Sequence, residues 1–149
     1  MGEFLETTYD KFVFKVKTGC FYSRDDFWAE VNGDTAVIGL SDFLQKAKGD
    51  VAFLETAEAG TEVTQGGEIG KIETIKATFG ISSPVSGKVV EVNPELESSP
   101  YLINEDCYGK GWIYRIELTN FDNDKAKLLA ADKYLDLMQG KIAEEMKTK

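Results

Sequence analysis

The sequence contains no histidine. That absence excludes histidine-dependent nucleophile triads, imidazole metal ligands and imidazole proton shuttles, and with them most common enzyme mechanisms. Cysteine is nearly as scarce. Cys20 and Cys107 are too few for a disulfide framework, and their spacing matches neither a zinc site nor a CxxC redox motif. Each is read as a small packed residue in preference to a reactive thiol. Basic charge is short as well: 17 Lys and Arg against 26 Asp and Glu leave a net charge of -9, which repels phosphate backbones and anionic lipid surfaces. Without a local basic patch, nucleic acid is not an expected partner. No apolar run is long enough to cross a bilayer. The start Met1-Gly2-Glu3-Phe4-Leu5-Glu6 lacks a basic leader and an apolar stretch, and Glu6 stands where a myristoylation signal needs Ser or Thr. The default expectation is a cytoplasmic protein without a membrane span.

What is present is a 149-residue chain with 42% hydrophobic and 29% charged residues, suited to a single globular domain over 1–149. Phe12, Phe14 and Val16 alternate with Lys11, Val13 and Lys15, the pattern of a half-buried strand. Two β-favouring runs, 27–31 and 34–40, flank Asn32-Gly33, which predicts a hairpin with a type I′ turn. Ser41 or Asp42 can cap a short helix through Lys48, with Gln45 at capping-box spacing from Asp42 and Gly49 as the natural stop. From Asp50 to Val92 short strands are punctuated by glycines and Pro84, the rhythm of a small sandwich or barrel. Trp112 to Leu118 predicts a late strand with Trp112 in the core. From Asp122 or Asn123 a helical tail carries Leu128, Ala131, Leu135, Met138 and Ile142 at steps of three or four, with Gly140 as a weak point. That stripe is expected to dock on the protein's own core.

Between two β-favouring runs lies Glu73-Thr74-Ile75-Lys76-Ala77, which places Lys76 on a hairpin tip facing solvent. One exposed lysine is ordinarily just a solvated charge. The order of strand, Glu73 to Ala77, strand, then Ser83-Pro84-Val85-Ser86-Gly87-Lys88-Val89 resembles the modification hairpin of lipoyl and biotinyl carrier domains, in which the cofactor acylates the lysine amine. Biotin carriers put Met on both sides of that lysine, and here Ile75 and Ala77 flank it. The resemblance extends to the glycine cleavage H-protein family through Tyr22-Ser23-Arg24-Asp25 before Trp28, Gly39-Leu40-Ser41-Asp42-Phe43, Gly49-Asp50-Val51-Ala52-Phe53, Ser83 to Asn93, and Leu102-Ile103-Asn104 followed by Tyr108-Gly109-Lys110-Gly111-Trp112. These blocks run in the family's order from about Tyr22 to Tyr134.

The resemblance implies a mainly β barrel-sandwich hybrid, a flattened barrel with its core over about 11–120, a short internal helix and a helical C-terminal segment over about 122–146. It implies a shuttle without catalytic residues, carrying lipoate amide-linked to Lys76. Lipoate-attaching enzymes would be partners that read the tip through Glu73, Ile75 and Ala77. Glu73 is equally read as a strand-edge solubilising charge.

Two positions depart from the family. Phe27 and Gly80 stand where glycine cleavage H-proteins carry carboxylates associated with the cationic aminomethyl cargo. An ammonium without a countercharge is costly to hold. The candidate arm pocket of Asp25, Phe27 and Gly80 is therefore expected to be apolar and open, with Asp25 or Asp26 as substitutes. On that ground the sequence is closer to a second group, the lipoate-binding H-like proteins of sulfur oxidation, whose arm would carry sulfur species to a heterodisulfide-reductase-like complex. Glycine cleavage enzymes as partners, and an unmodified binding module, are the alternatives. Phe27→Glu with Gly80→Asp is expected to raise aminomethyl transfer. Cys107, where the family has proline, could exchange with a dithiolane but is read as packing.

Overall fold

The computed structural model describes residues 3–147; Met1-Gly2 of the expected leaderless start and the last two residues lie outside them. Strands β1 (Phe4–Tyr9) and β2 (Phe12–Lys17) form an antiparallel ribbon that pairs Phe4 with Lys17 and Tyr9 with Phe12. The alternation expected from Lys11 is present, since Phe14 and Val16 are buried. β1 extends the ordered fold upstream of the expected boundary at 11. Its Phe, Leu, Thr and Tyr residues are good strand formers, but only the ribbon register pairs them with the buried face of β2.

After β3 (Phe21–Tyr22) come β4 (Phe27–Asn32) and β5 (Thr35–Leu40), paired from Phe27 opposite Leu40 to Asn32 opposite Thr35. The hairpin is as expected, but its two-residue turn is Gly33-Asp34. Asn32 is the last strand residue, and Gly33 alone takes the left-handed conformation, φ 65°. That fits a type II′ turn with glycine first, in place of type I′. Helix α1 (Asp42–Lys48) is capped by Ser41, whose side chain accepts from the Leu44 N–H at 3.2 Å, and it ends at Gly49 with φ 90°.

β6 (Val51–Thr56), β7 (Glu62–Val63), β8 (Glu68–Thr74), β9 (Thr78–Ser82) and β10 (Gly87–Val92) follow, then a short helix α2 (Leu102–Glu105) and β11 (Tyr114–Leu118). Two main sheets result, one ordered β3-β4-β5-β11-β10-β7 and one ordered β6-β8-β9. Between them lies a core that includes Ala29, Ile38 and Ile116 from the first sheet and Val51, Ile72 and Ile81 from the second. The expected mainly β barrel-sandwich is thus the architecture observed. Trp112 precedes the late strand and is only half-buried, with the Arg115 guanidinium 5.5 Å from its ring.

The tail is not one helix. It consists of α3 (Phe121–Asp124), a 3₁₀ turn over Lys125–Lys127, an extended segment, and α4 (Ala131–Lys147). The break has a tertiary cause. Leu129 exchanges two backbone hydrogen bonds with Tyr22, each 2.8 Å, so the chain at this point completes the edge of β3. On α4 the fully buried positions are Ala131, Tyr134, Met138 and Ile142, with Leu135 half-buried beside them. They meet Phe14, Val16, Tyr22, Trp28 and Phe43 in a second apolar cluster. Gly140 does not interrupt the helix. Among the described residues no helix is long and apolar enough to cross a membrane.

Candidate functional site

The turn joining β8 to β9 is held from below by one buried hydroxyl. Thr74 Oγ1 accepts from the N–H groups of Lys76 (3.2 Å) and Ala77 (3.0 Å), and donates to the Lys48 carbonyl at the end of α1 (2.6 Å). The Thr74 N–H reaches the Ala77 carbonyl at 2.8 Å, and the Ile75 N–H reaches the Asp50 carbonyl at 3.1 Å. Threonine fits here because its hydroxyl is short enough to serve the backbone locally while its methyl packs. The platform under the turn is fixed in its own right by Asn104, which accepts from the Val51 N–H (2.9 Å) and donates to the Gly49 carbonyl (3.1 Å) and to Gln45 (3.0 Å). The Leu102-Ile103-Asn104 block is thus a brace for the tip.

Lys76 is exposed at this tip, and Ile75 beside it is 74% exposed. The lysine does not simply project into water as the sequence suggests. Its Nζ donates to the Ala47 carbonyl at 3.1 Å, and its stem lies over Gly49, where an added Cβ would come within 3.1 Å of Lys76 Cδ. The last carbonyls of α1 attract a cation. An acylated Nζ keeps one hydrogen, so an amide at Lys76 can still donate to Ala47. The site therefore fits a covalent acyl group without losing this contact. Glu73 is exposed on β8 opposite Thr78, and Ala77 is half-buried.

Asp25, Phe27 and Gly80 do come together. They line one open depression of about 490 Å³ near the turn, together with Lys48, Glu68 and Lys141. Its character differs from the apolar pocket expected. Phe27 is 2% exposed and belongs to the core, so only its edge reaches the depression. The space over Gly80 is filled by a carboxylate: a Cβ on Gly80 would collide with Glu68 Oε1. Glu68 gets there because β8 and β9 slip by one residue, with Glu68 opposite Ser82 and Lys71 opposite Gly80. The slip passes through Gly70, whose φ is 139° and where an added Cβ would stand 2.5 Å from the Glu55 carbonyl oxygen, so no side chain fits. Sequence reasoning missed Glu68, since nothing at its position marks it before the register is known.

Four other charged residues around the depression, Asp25, Asp26, Lys48 and Lys141, are already engaged. Asp26 accepts from Lys141 Nζ (2.9 Å) and from the Tyr134 hydroxyl (2.8 Å), and Asp25 accepts from Ser82 Oγ (3.2 Å). Lys48 lies 5.4 Å from the Phe79 ring centroid. The thiols take no part. Cys20 and Cys107 are both buried, burial pushes the Cys20 pKa up to about 12, and burial raises that of Cys107 as well. Neither is a ready thiolate at neutral pH.

A tied hairpin tip bearing an exposed lysine, on a flattened β barrel, is the arrangement the sequence resemblance implies, and comparison with known proteins agrees. The family model described as Glycine cleavage H-protein matches residues 20–141. The chain belongs to the glycine cleavage H-protein family. It is 43% identical over 118 residues to the glycine cleavage system H protein of Carboxydothermus hydrogenoformans, covering 79% of this chain and 90% of that one. It is 42% identical over 127 residues to the probable glycine cleavage system H protein of Pyrococcus horikoshii, covering 85% and 94%. The crystal structure of a glycine cleavage system H protein from Mycobacterium marinum superposes with a TM-score of 0.70 at 28% identity, covering 80% of this chain and 95% of that chain. Members of this family are non-catalytic carriers with lipoate attached covalently to a lysine, and this chain is such a lipoyl carrier. The relatives named here are glycine cleavage proteins. They give the sulfur-oxidation context favoured on the sequence no support, and the aminomethyl alternative fits them better.

Proposed function

We propose that Lys76 is the lipoyl attachment point and that the arm carries the aminomethyl group of glycine between glycine cleavage enzymes. The supporting observation is the placement of Lys76 on a turn tied to the end of α1, near a depression that presents Asp25 and Glu68. The bound lipoate supplies a dithiolane that opens to take up a group and closes again by thiol–disulfide exchange. The chain's residues present and orient it. Thr74 and Asn104 keep the tip rigid, and Ala47 receives the amide hydrogen. Glu68, in the space over Gly80, offers a cationic cargo the countercharge that Phe27 and Gly80 do not. With that carboxylate counted, the main reason for a sulfur cargo falls away. Glu73, Ile75 and Ala77 form the face that lipoate-attaching enzymes read. The chain works as a single carrier domain in the cytoplasm.

Intact mass before and after treatment with a lipoate-attaching enzyme, with peptide mapping, tests the attachment. One lipoyl adduct on Lys76, absent in Lys76→Arg, is expected; an unmodified chain would leave only a binding module. Glycine-dependent exchange of carbon dioxide with glycine decarboxylase then tests the cargo. No exchange by the lipoylated chain, alongside oxidation of sulfur compounds by a heterodisulfide-reductase-like complex, would return the cargo to sulfur.

A further inference from the structure

On the far side of α1 from the charged depression, β2, α1 and α4 enclose a groove of about 330 Å³. Its walls are the side chains of Phe12, Phe14, Phe43, Ala47 and Ile142, with Lys46 and Glu145 at the rim. Phe14 and Phe43 are buried and form the floor, while Phe12 is 43% exposed and leaves the groove open. The Lys46 ammonium stands over the Phe14 ring, 5.3 Å from its centroid, and is held there by the Val13 carbonyl (2.7 Å) and Asp42 Oδ2 (2.9 Å). What remains facing the groove is largely aromatic and aliphatic carbon.

The groove begins where the tether begins. Ala47 is part of its wall, and the Ala47 carbonyl is the atom that holds Lys76 Nζ at 3.1 Å. Resting on the assignment of Lys76 as the lipoyl site, we propose that Phe12, Phe14, Phe43, Ala47 and Ile142 hold the closed dithiolane ring when the arm bears no cargo. The chemistry matches. A closed dithiolane is uncharged and apolar, and divalent sulfur makes favourable contacts with aromatic rings. Tethering raises its local concentration to about the millimolar range, so a weak attraction is enough to populate the seat. The depression near Gly80 is opposite in character, faced by Arg24, Asp25, Asp26, Lys48, Glu68 and Lys141. There the carboxylates of Asp25 and Glu68 can pair with an ammonium-bearing arm, whereas the phenyl walls of the groove offer it no hydrogen-bond acceptor.

The test uses the full chain, lipoylated at Lys76 and kept oxidised. Methyl and aromatic NMR spectra are compared with those of the unmodified chain, and the ring's reduction by a water-soluble phosphine is timed against free lipoamide. Beyond the shifts that acylation itself causes at Ile75, Ala77 and Ala47, the expected results are shifts of Ile142 and the three phenyl rings, Overhauser contacts from lipoyl methylenes to Phe12, and reduction severalfold slower than that of free lipoamide. Phe12→Glu, a change at a partly exposed strand position whose folding is checked by its amide spectrum, should restore the free rate. An adduct mapped to Lys76 with unshifted Ile142 and phenyl signals and the free-lipoamide rate would overturn the groove and leave the carrier function standing. No adduct at Lys76 would overturn the attachment site itself. Groove shifts that grow with protein concentration, with a doubled mass in light scattering, would assign the groove to a second copy and likewise overturn the proposal.

Discussion

The Tyr134 hydroxyl donates to the Asp26 carboxylate across 2.8 Å, joining α4 to the turn that leads into β4. Asp26 holds a left-handed φ of 76°, a conformation aspartate tolerates better than most residues, and is 7% exposed. It is satisfied there by Tyr134 and by Lys141 Nζ at 2.9 Å. The Tyr134 ring stacks on Tyr22, with centroids 4.4 Å apart and planes 5° from parallel, and burial together with the nearby Asp26 charge pushes its pKa upward. Tyr134→Phe keeps the stack and removes a hydrogen bond to a charged group, at a cost of about 1.5–3 kcal/mol. Urea denaturation measures it; an unchanged midpoint would mean that Lys141 alone satisfies Asp26.

Thr74→Val tests the tip. The substitution keeps the shape and removes a hydroxyl that serves Lys48, Lys76 and Ala77. The expected cost is about 1–3 kcal/mol, since the half-buried Lys48 carbonyl loses its donor. Faster amide hydrogen exchange at Lys76 and Ala77 and slower lipoylation should accompany it. Serine at this position should recover most of the loss, because it retains the oxygen.

Glu68→Gln separates the two cargo chemistries. Glu68 is exposed, so its charge is partly screened, and the expected effect is a drop of about two- to fivefold in glycine-dependent transfer by the lipoylated chain. Lipoylation itself should not change. The pair Phe27→Glu with Gly80→Asp, suggested by sequence alone, mixes the charge it adds with a packing cost that Glu68→Gln does not carry. Phe27 is a core residue, and a carboxylate there would be buried without a partner. At Gly80 the new side chain would displace the carboxylate of Glu68.

Stability should fall in alkali. The Cys20 thiol has an ordinary pKa of 9.0 and is pushed up to about 12, first by burial, then by Glu30, with Lys17 acting the other way. Between these values the folded chain holds a proton that the unfolded chain has lost, so the contribution is complete below pH 9.0 and declines as pH rises toward about 12. Cys107 and the buried hydroxyls of Tyr22, Tyr108 and Tyr134 are raised by burial in the same direction. Urea midpoints should therefore drop progressively above pH 9.0, with a shallower slope in Cys20→Ala.

The elements that sequence reasoning located best were those with a local cause. Ser41 caps α1 through its own side chain, and Gly49 ends it; both effects act within one turn of backbone. The Lys76 tip was legible because strand, turn and strand follow one another along the chain. The misplaced elements had non-local causes. α4 starts late because Leu129 pairs with Tyr22, over a hundred residues away in sequence and one hydrogen bond away in space. β1 is a strand because β2 is beside it.

Composition and residue order therefore determined the class of chemistry: no histidine, two cysteines in no metal or redox pattern, a lysine on a hairpin tip, and family blocks in sequence order. Only the tertiary structure decided the environment of that lysine. The carboxylate near Gly80 comes from a different strand through a one-residue slip, and the phenyl groove is assembled from β2, α1 and α4. Local propensity depends on neighbours along the chain and can be read in order. Charge placement and cavity lining depend on which distant segments share a face, and that is settled only when the sheets and helices pack.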